Sequence, residues 1–203
     1  MTLNKTELEN KIKPAKPLLE HYVQLLLKWQ KSVNLISENT IKDIWDRHIL
    51  DSAQLYFLLD SNQQFLMDVG SGGGLPAVVI AILNQELKGP LNRIVLVESD
   101  LKKSLFLEEC KRNLSLNIEI IRDRIENISL KPDVITARAL APLKDLFRLI
   151  QKNVSRETFL LFPKGKNVDK EIENVTNPFD CEKITNVINN EGCILKIKGV
   201  HYE

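Results

Sequence analysis

The chain is short of the features that would carry it out of a cell or into a membrane. Its 203 residues include only three cysteines, Cys110, Cys181 and Cys193. An odd number with no Cys-x-x-Cys and no Cys/His ligand spacing argues against a metal site, and reduced thiols are expected. The longest unbroken apolar run, Leu75 to Leu83, falls short of the roughly 20 residues needed to cross a bilayer. Met1 to Pro17 is polar and lysine-bearing, without the apolar centre of a signal peptide. A soluble cytoplasmic protein with no membrane partner is the expectation. Net charge is scarce too, at +1, but it is unevenly spread. Residues 101–170 hold 15 Lys+Arg against 9 Asp+Glu, while residues 1–60 balance at 8 against 8. Charge alone suits a polyanion partner and a set of solvated helix faces equally well.

What the chain does have is a glycine turn in a telling place. Phe65-Leu66-Met67-Asp68-Val69 is a short apolar run ending near an acid. Gly70-Ser71-Gly72-Gly73-Gly74 follows, and Leu75-Pro76 opens a strongly apolar segment. That order predicts a buried strand, a tight turn and a helix N-terminus. Such a turn, after the first strand of an open α/β sheet, is where nucleotide-like ligands bind.

Before the turn the pattern is helical. Leu19, Tyr22, Val23, Leu26, Trp29 and Val33 recur at helical spacing, as do Ile41, Ile44, Trp45, His48, Ser52, Leu55, Tyr56 and Leu59. Pro14 and Pro17 mark the entrance of the first helix, and Ser37 to Thr40 is a polar break before the second. Residues 1–62 are expected to form a helical subdomain and residues 63–203 an α/β domain. In the latter, strands are predicted at Arg93 to Val97, Ile118 to Ile121, Asp133 to Thr136 and Phe159 to Phe162. Lys183 to Ile188 and Cys193 to Lys198 would close the sheet as an antiparallel pair. Helices are predicted at 75–84, apolar nearly all round and so covered on two sides, at 101–114 and at 142–152. The alternation implies a mostly parallel seven-stranded sheet with an antiparallel terminal strand and helices on both faces.

The turn is not the dehydrogenase fingerprint, because Leu75 stands where G-x-G-x-x-G needs its third glycine. No Gly-Lys-Ser/Thr of a phosphate loop follows it either. Asp68 at the strand end would repel a pyrophosphate but suits an ammonium group. Glu98, at the end of the next strand, is placed to accept hydrogen bonds from two ribose hydroxyls. An adenosine and an ammonium without phosphate describe S-adenosylmethionine.

At these residues the chain resembles a bacterial family of small-subunit ribosomal RNA guanine-N7 methyltransferases, also called the glucose-inhibited division protein B family. The resemblance rests on Trp29 to Leu35, Arg47-His48-Ile49-Leu50-Asp51-Ser52, the turn from Asp68 to Pro76, Arg124-Ile125-Glu126, Ala137 to Ala141, and Lys164-Gly165. It departs where Ala77 replaces a usual glycine and where Thr136-Ala137 replaces a usual serine. The resemblance implies a Rossmann-like class I methyltransferase with an N-terminal helical subdomain. It implies methyl transfer to N7 of a guanine in the 530 loop of 16S ribosomal RNA, on the small ribosomal subunit. It also places cofactor contacts on Gly70, Leu75, Ile125, Glu126 and Arg138. The residues themselves add Asp68, Gly72 and Glu98.

Guanine N7 carries an in-plane lone pair and no proton, so no general base is needed, and no catalytic acid, base or nucleophile is nominated. The chain correspondingly lacks an Asn/Asp-Pro-Pro-Tyr segment for an exocyclic amine and a Pro-Cys pair for attack at pyrimidine carbon five. Arg138 could stabilise the electron-rich guanine face, but holding the methionine carboxylate or a structural role is the expectation, and His48 is expected to be a core histidine bonded to a neighbour. Arg122, Arg124, Lys164 and Lys166, near strand ends, are the expected RNA phosphate contacts. Two rival functions stand beside this one: a methyltransferase for a small molecule or protein, and a non-catalytic ribosome-assembly module. A monomer is expected.

Overall fold

A computed structural model of the chain describes residues 3–200. Seven strands form one sheet: β1 (Phe65–Val69), β2 (Arg93–Val97), β3 (Glu119–Ile121), β4 (Val134–Thr136), β5 (Phe159–Lys164), β6 (Asp180–Thr185) and β7 (Cys193–Lys198), in the order β3-β2-β1-β4-β5-β7-β6. The first five run parallel, and β7 inserts antiparallel between β5 and β6. From β1 the chain builds outward to β2 and β3, then crosses back to place β4 on the other side. The boundary between β1 and β4 is therefore the topological switch point, where the loops leaving adjacent strands diverge and open a crevice.

Side chains alternate between two cores, as the two-residue period of a strand demands. Leu66, Leu96, Val134 and Leu161 face one layer, made by the N-terminal helices with α4 (Ala77–Glu86) and α5 (Leu101–Asn113). Met67, Val95, Val97, Ile135, Leu160 and Phe162 face the other, under α6 (Leu143–Ile150) and α7 (Val168–Glu173). In α4 every residue from Ala77 to Leu83 is buried, between the sheet on one side and the N-terminal helices on the other. This is the two-sided cover its all-round apolar sequence requires. The N-terminal helices have no core of their own: Leu8, Leu19, Tyr22 and Leu26 belong to the same cluster as Val78 and Phe106.

Several elements depart from the sequence reading. A short helix α1 (Lys5–Lys11) precedes Pro14, closed by a capping box between Asn4 and Glu7. α2 (Lys16–Gln30) follows with Pro17 in its first turn, where the missing N–H costs nothing. The second predicted helix is a composite of a 3₁₀ segment (Glu38–Asp43), a π-turn (Trp45–Leu50) and α3 (Asp51–Tyr56). A π-turn widens the helix and is often found at functional sites; here Arg47, His48 and Asp51, in and just after it, line the crevice. β5 continues through Pro163 to Lys164, because its pairing with β4 has ended at Leu161 and the proline meets a ladder only on the β7 side. β6 ends at Thr185, earlier than predicted, since Asn186 and Val187 turn away to bond with Asp51 and Gln54.

Candidate active site

A cleft of about 1100 Å³ lies at the carboxyl ends of β1, β2 and β4. Its floor is the glycine turn. The N–H groups of Gly70 and Ser71 both donate to the carbonyl of Val97, at 2.9 and 3.1 Å, so the turn is pinned to the end of β2. Gly70 has φ +69°, and a Cβ there would lie 2.6 Å from Leu140 Cδ1. Gly72 has φ +53°, and a Cβ there would meet no protein atom nearer than the Gly70 carbonyl at 3.8 Å. The first glycine makes room for the protein. The second sits at an open position on the cleft wall, where a ligand can approach the backbone.

Glu98 completes the floor. It is 7% exposed, and each carboxylate oxygen accepts one backbone N–H: Oε2 from Gly72 and Oε1 from Asp100, both at 2.8 Å. One lone pair on each oxygen remains for a ligand hydroxyl. Asp68 is placed otherwise than expected. It is 1% exposed, beneath the turn, and is not among the cleft-lining residues. Its Oδ1 accepts from Thr136 Oγ1 at 2.6 Å, and its Oδ2 has no hydrogen-bond partner among the described residues. Burial pushes this carboxyl up to about 6, against the opposing hydrogen bond from Thr136.

Leu75, which follows the turn, and Ile125 and Glu126 also line the cleft. Ile125, 5% exposed, supplies the apolar face, and Glu126 beside it is exposed. Arg138 lies just past β4 and lines the same space, but its guanidinium is engaged by the N-terminal segment. Nη1 donates to the Arg47 carbonyl and to Asp51 Oδ2, both at 3.3 Å, and Nη2 donates to His48 Nδ1 at 2.8 Å. Asp51 Oδ1 in turn accepts from Asn186 Nδ2 at 2.7 Å and from Gln54 Nε2 at 3.1 Å. Burial, with Arg138 and Arg47 nearby, lowers His48 to about 4, so the ring is neutral at physiological pH.

The expected RNA contacts divide. Arg124 lines the cleft, exposed; Arg122 and Lys166 are exposed but lie off it. Lys164 lines the cleft but is spoken for: its Nζ donates to Glu171 Oε2 at 2.7 Å and to the Ala141 carbonyl at 3.1 Å. Arg47, noted above only within its motif, and Lys103, whose sequence suggests a solvated helix face, are cleft-lining cations with no ion pair among the described residues. Asp51 and Asn186 were missed as well. The Arg-His-x-x-Asp-Ser segment was the available signal for Asp51, whereas nothing near Asn186 distinguishes it from other loop amides.

The family model described as rRNA small subunit methyltransferase G matches residues 15–190. The protein of that name from Ruegeria sp. (strain TM1040) is 41% identical over 182 residues, covering 88% of either chain. Among solved structures, the chain is similar to the ribosomal protein L11 methylase of Lactobacillus delbrueckii subsp. bulgaricus, with TM-score 0.58 and 16% identity over 76% of this chain and 79% of that one. It is likewise similar to a mutant of MtNAS in complex with S-adenosylmethionine, with TM-score 0.60 and 16% identity over 92% of this chain and 76% of that one. The structural likenesses bear on the fold, which is that of the class I methyltransferases. The sequence matches go further: the chain belongs to the rRNA small subunit methyltransferase G family.

Proposed function

We propose that this chain transfers a methyl group from S-adenosylmethionine to N7 of a guanine in the 530 loop of 16S ribosomal RNA. It acts as a monomer on the small ribosomal subunit in the cytoplasm. The observation that carries the reading is Glu98 bonded to the backbone of Gly72 at the switch point of the sheet. That pairing sets a fixed carboxylate beside an open backbone, which fits a ribose diol. The N–H of Gly72 is spent on Glu98, so the turn is not assembled as a phosphate cradle.

When bound, S-adenosylmethionine supplies an electrophilic methyl on a sulfonium. Gly70, Gly72 and Leu75 would lie along it, Glu98 on the ribose, Ile125 and Glu126 at the adenine, and Arg138 at the amino-acid end. Asp68, beneath the turn, contributes negative charge at a distance rather than contact. The protein's part is chiefly orientation. Among the described residues lining the cleft, the acidic and imidazole groups are committed elsewhere or exposed. Both Glu98 oxygens hold backbone N–H groups, Asp51 holds Arg138 and Asn186, and His48 Nδ1 accepts from Arg138. A nucleophile with no proton to lose, as at N7, asks for none of them.

The modest basic charge of the chain favours a folded ribonucleoprotein over stripped RNA as substrate; equal rates on the two would overturn that part. The main test is transfer of labelled methyl from S-adenosylmethionine to unmethylated small subunits, followed by nucleoside analysis. Label in 7-methylguanosine is expected. Label in another nucleoside, or none with the cofactor bound, would reject the proposed target.

A further inference from the structure

We infer that His48 is a positioning residue: as a neutral imidazole it accepts a hydrogen bond from Arg138 and, with Asp51, turns one edge of that guanidinium toward the cofactor's carboxylate. The inference rests on the cofactor placement just proposed.

The hydrogen-bond directions around His48 leave one arrangement. Arginine can only donate, so Nδ1, 2.8 Å from Arg138 Nη2, is the acceptor. The ring proton then belongs to Nε2, which faces Thr40 Oγ1 at 2.7 Å. Thr40 can receive it because its own hydroxyl donates to the Ser37 carbonyl at 2.6 Å. Hydrogen-bond donation thus runs from the guanidinium through the imidazole and Thr40 to the Ser37 carbonyl at the start of the 3₁₀ segment. This chain of bonds carries no charge of its own, so it orients Arg138 without competing for an anion.

The partners of Arg138 show which edge is set free. Its contacts within the protein fall on Nη1 and Nη2: Asp51, the Arg47 carbonyl and His48. Both Nη1 hydrogens and one on Nη2 are taken, leaving Nε–H and one Nη2–H, which belong to the two nitrogens of one edge of the guanidinium. A pair of N–H groups of that kind matches a carboxylate bidentately. Asp51 supplies the counter-charge, and Asn186 and Gln54 hold Asp51 in turn. His48 is buried and touches the cleft, yet its acceptor nitrogen is already in use, so it acts through Arg138 and not on the reacting atoms.

The test is calorimetric binding of two probes to the intact protein. S-Adenosylmethionine has the carboxylate; 5′-methylthioadenosine keeps the nucleoside and lacks the amino-acid end. His48→Gln retains a polar group toward Thr40 but withdraws the acceptor from Arg138. It should weaken S-adenosylmethionine by about tenfold or more, the scale of one hydrogen bond to a charged group, and leave methylthioadenosine within about twofold. His48→Asn, whose amide oxygen can take the Nδ1 position, should recover most of the loss. Asp51→Asn, similar in size, should show the same selectivity if a His48 variant folds poorly. Equal weakening of both probes would mean a merely structural role, and unchanged S-adenosylmethionine binding in His48→Gln would also overturn the proposal. Failure of the unsubstituted protein to bind either probe would instead remove the cofactor placement itself, and this inference with it.

Discussion

Tyr22 on α2 donates its phenolic hydroxyl to the carbonyl of Gly73, joining the N-terminal helices to the glycine turn across 51 residues of sequence. Tyr22 is fully buried, and burial raises its phenol well above the ordinary range, so the group stays protonated and a donor. The helical segment is therefore part of the site's frame.

Tyr22→Phe keeps the ring against Phe106 and removes only the hydroxyl. The Gly73 carbonyl then loses this partner, at a cost of roughly 1–3 kcal/mol. Urea denaturation should show that loss, and affinity for S-adenosylmethionine should fall with it because the turn is less well held. An unchanged midpoint and affinity would mean that the contact does not support the turn.

Glu98 and Gly72 can be separated by substitution. Glu98→Ala removes the acceptor for two backbone N–H groups and for the ribose, and about 100-fold weaker cofactor binding is expected from interactions of this charged kind. Gly72→Asp puts a side chain and a negative charge into open cleft space, and should abolish methyl transfer. Gly72→Ala meets no protein atom closely, so its folding cost is limited to the left-handed backbone, about 1 kcal/mol. Methyl transfer at the normal rate in Gly72→Asp would show that the cofactor lies elsewhere.

Asp68 gives the fold a pH dependence of definite sign. Its carboxyl is held up to about 6 in the folded protein, against 3.8 ordinarily. Between those values the folded state binds the proton and the unfolded chain does not. Ionisation above that window therefore opposes folding, and this contribution makes stability fall as pH rises through it, by about 3 kcal/mol in all. Asp68→Asn has no such proton. Its stability relative to the unsubstituted protein should rise from pH 4 to pH 7, measured by chemical denaturation at each pH. A constant difference across that range would show that Asp68 does not carry the raised value.

Lysine and arginine at the cleft should behave in two ways. Glu171 Oε2 accepts from both Lys164 Nζ and the Leu143 N–H, so Lys164→Met leaves the half-buried carboxylate its amide bond but no counter-charge, and is expected to cost about 2 kcal/mol of stability. Arg47→Glu and Arg124→Glu, both exposed, should leave thermal stability nearly unchanged. They should weaken binding to the small subunit and flatten its salt dependence. If Lys164→Met folds normally and fails only in particle binding, the pair with Glu171 is dispensable and the lysine is an RNA contact after all.

The legible parts of the fold were those set by local pattern. A β-branched run bounded by polar residues placed β2 at Arg93–Val97 without error, and the all-round apolar α4 announced its double cover. The second helix was misread because apolar residues of 3₁₀, π and α turns recur at nearly the same spacing. Helix α1 was missed because it offers the core only Leu8.

By itself the sequence determined the alternation of strand and helix, the glycine turn and the presence of Glu98 at the next strand end. These follow from residue period and backbone freedom, which are local properties. Only the tertiary structure decided what the polar side chains do. Arg138 meets Asp51 and His48 from 87 and 90 residues away, Lys164 is taken by Glu171, and Asp68 lies beneath the turn instead of facing the cleft. A buried charge must find a partner wherever the chain crossing brings one, and which partner that is depends on the order of the strands.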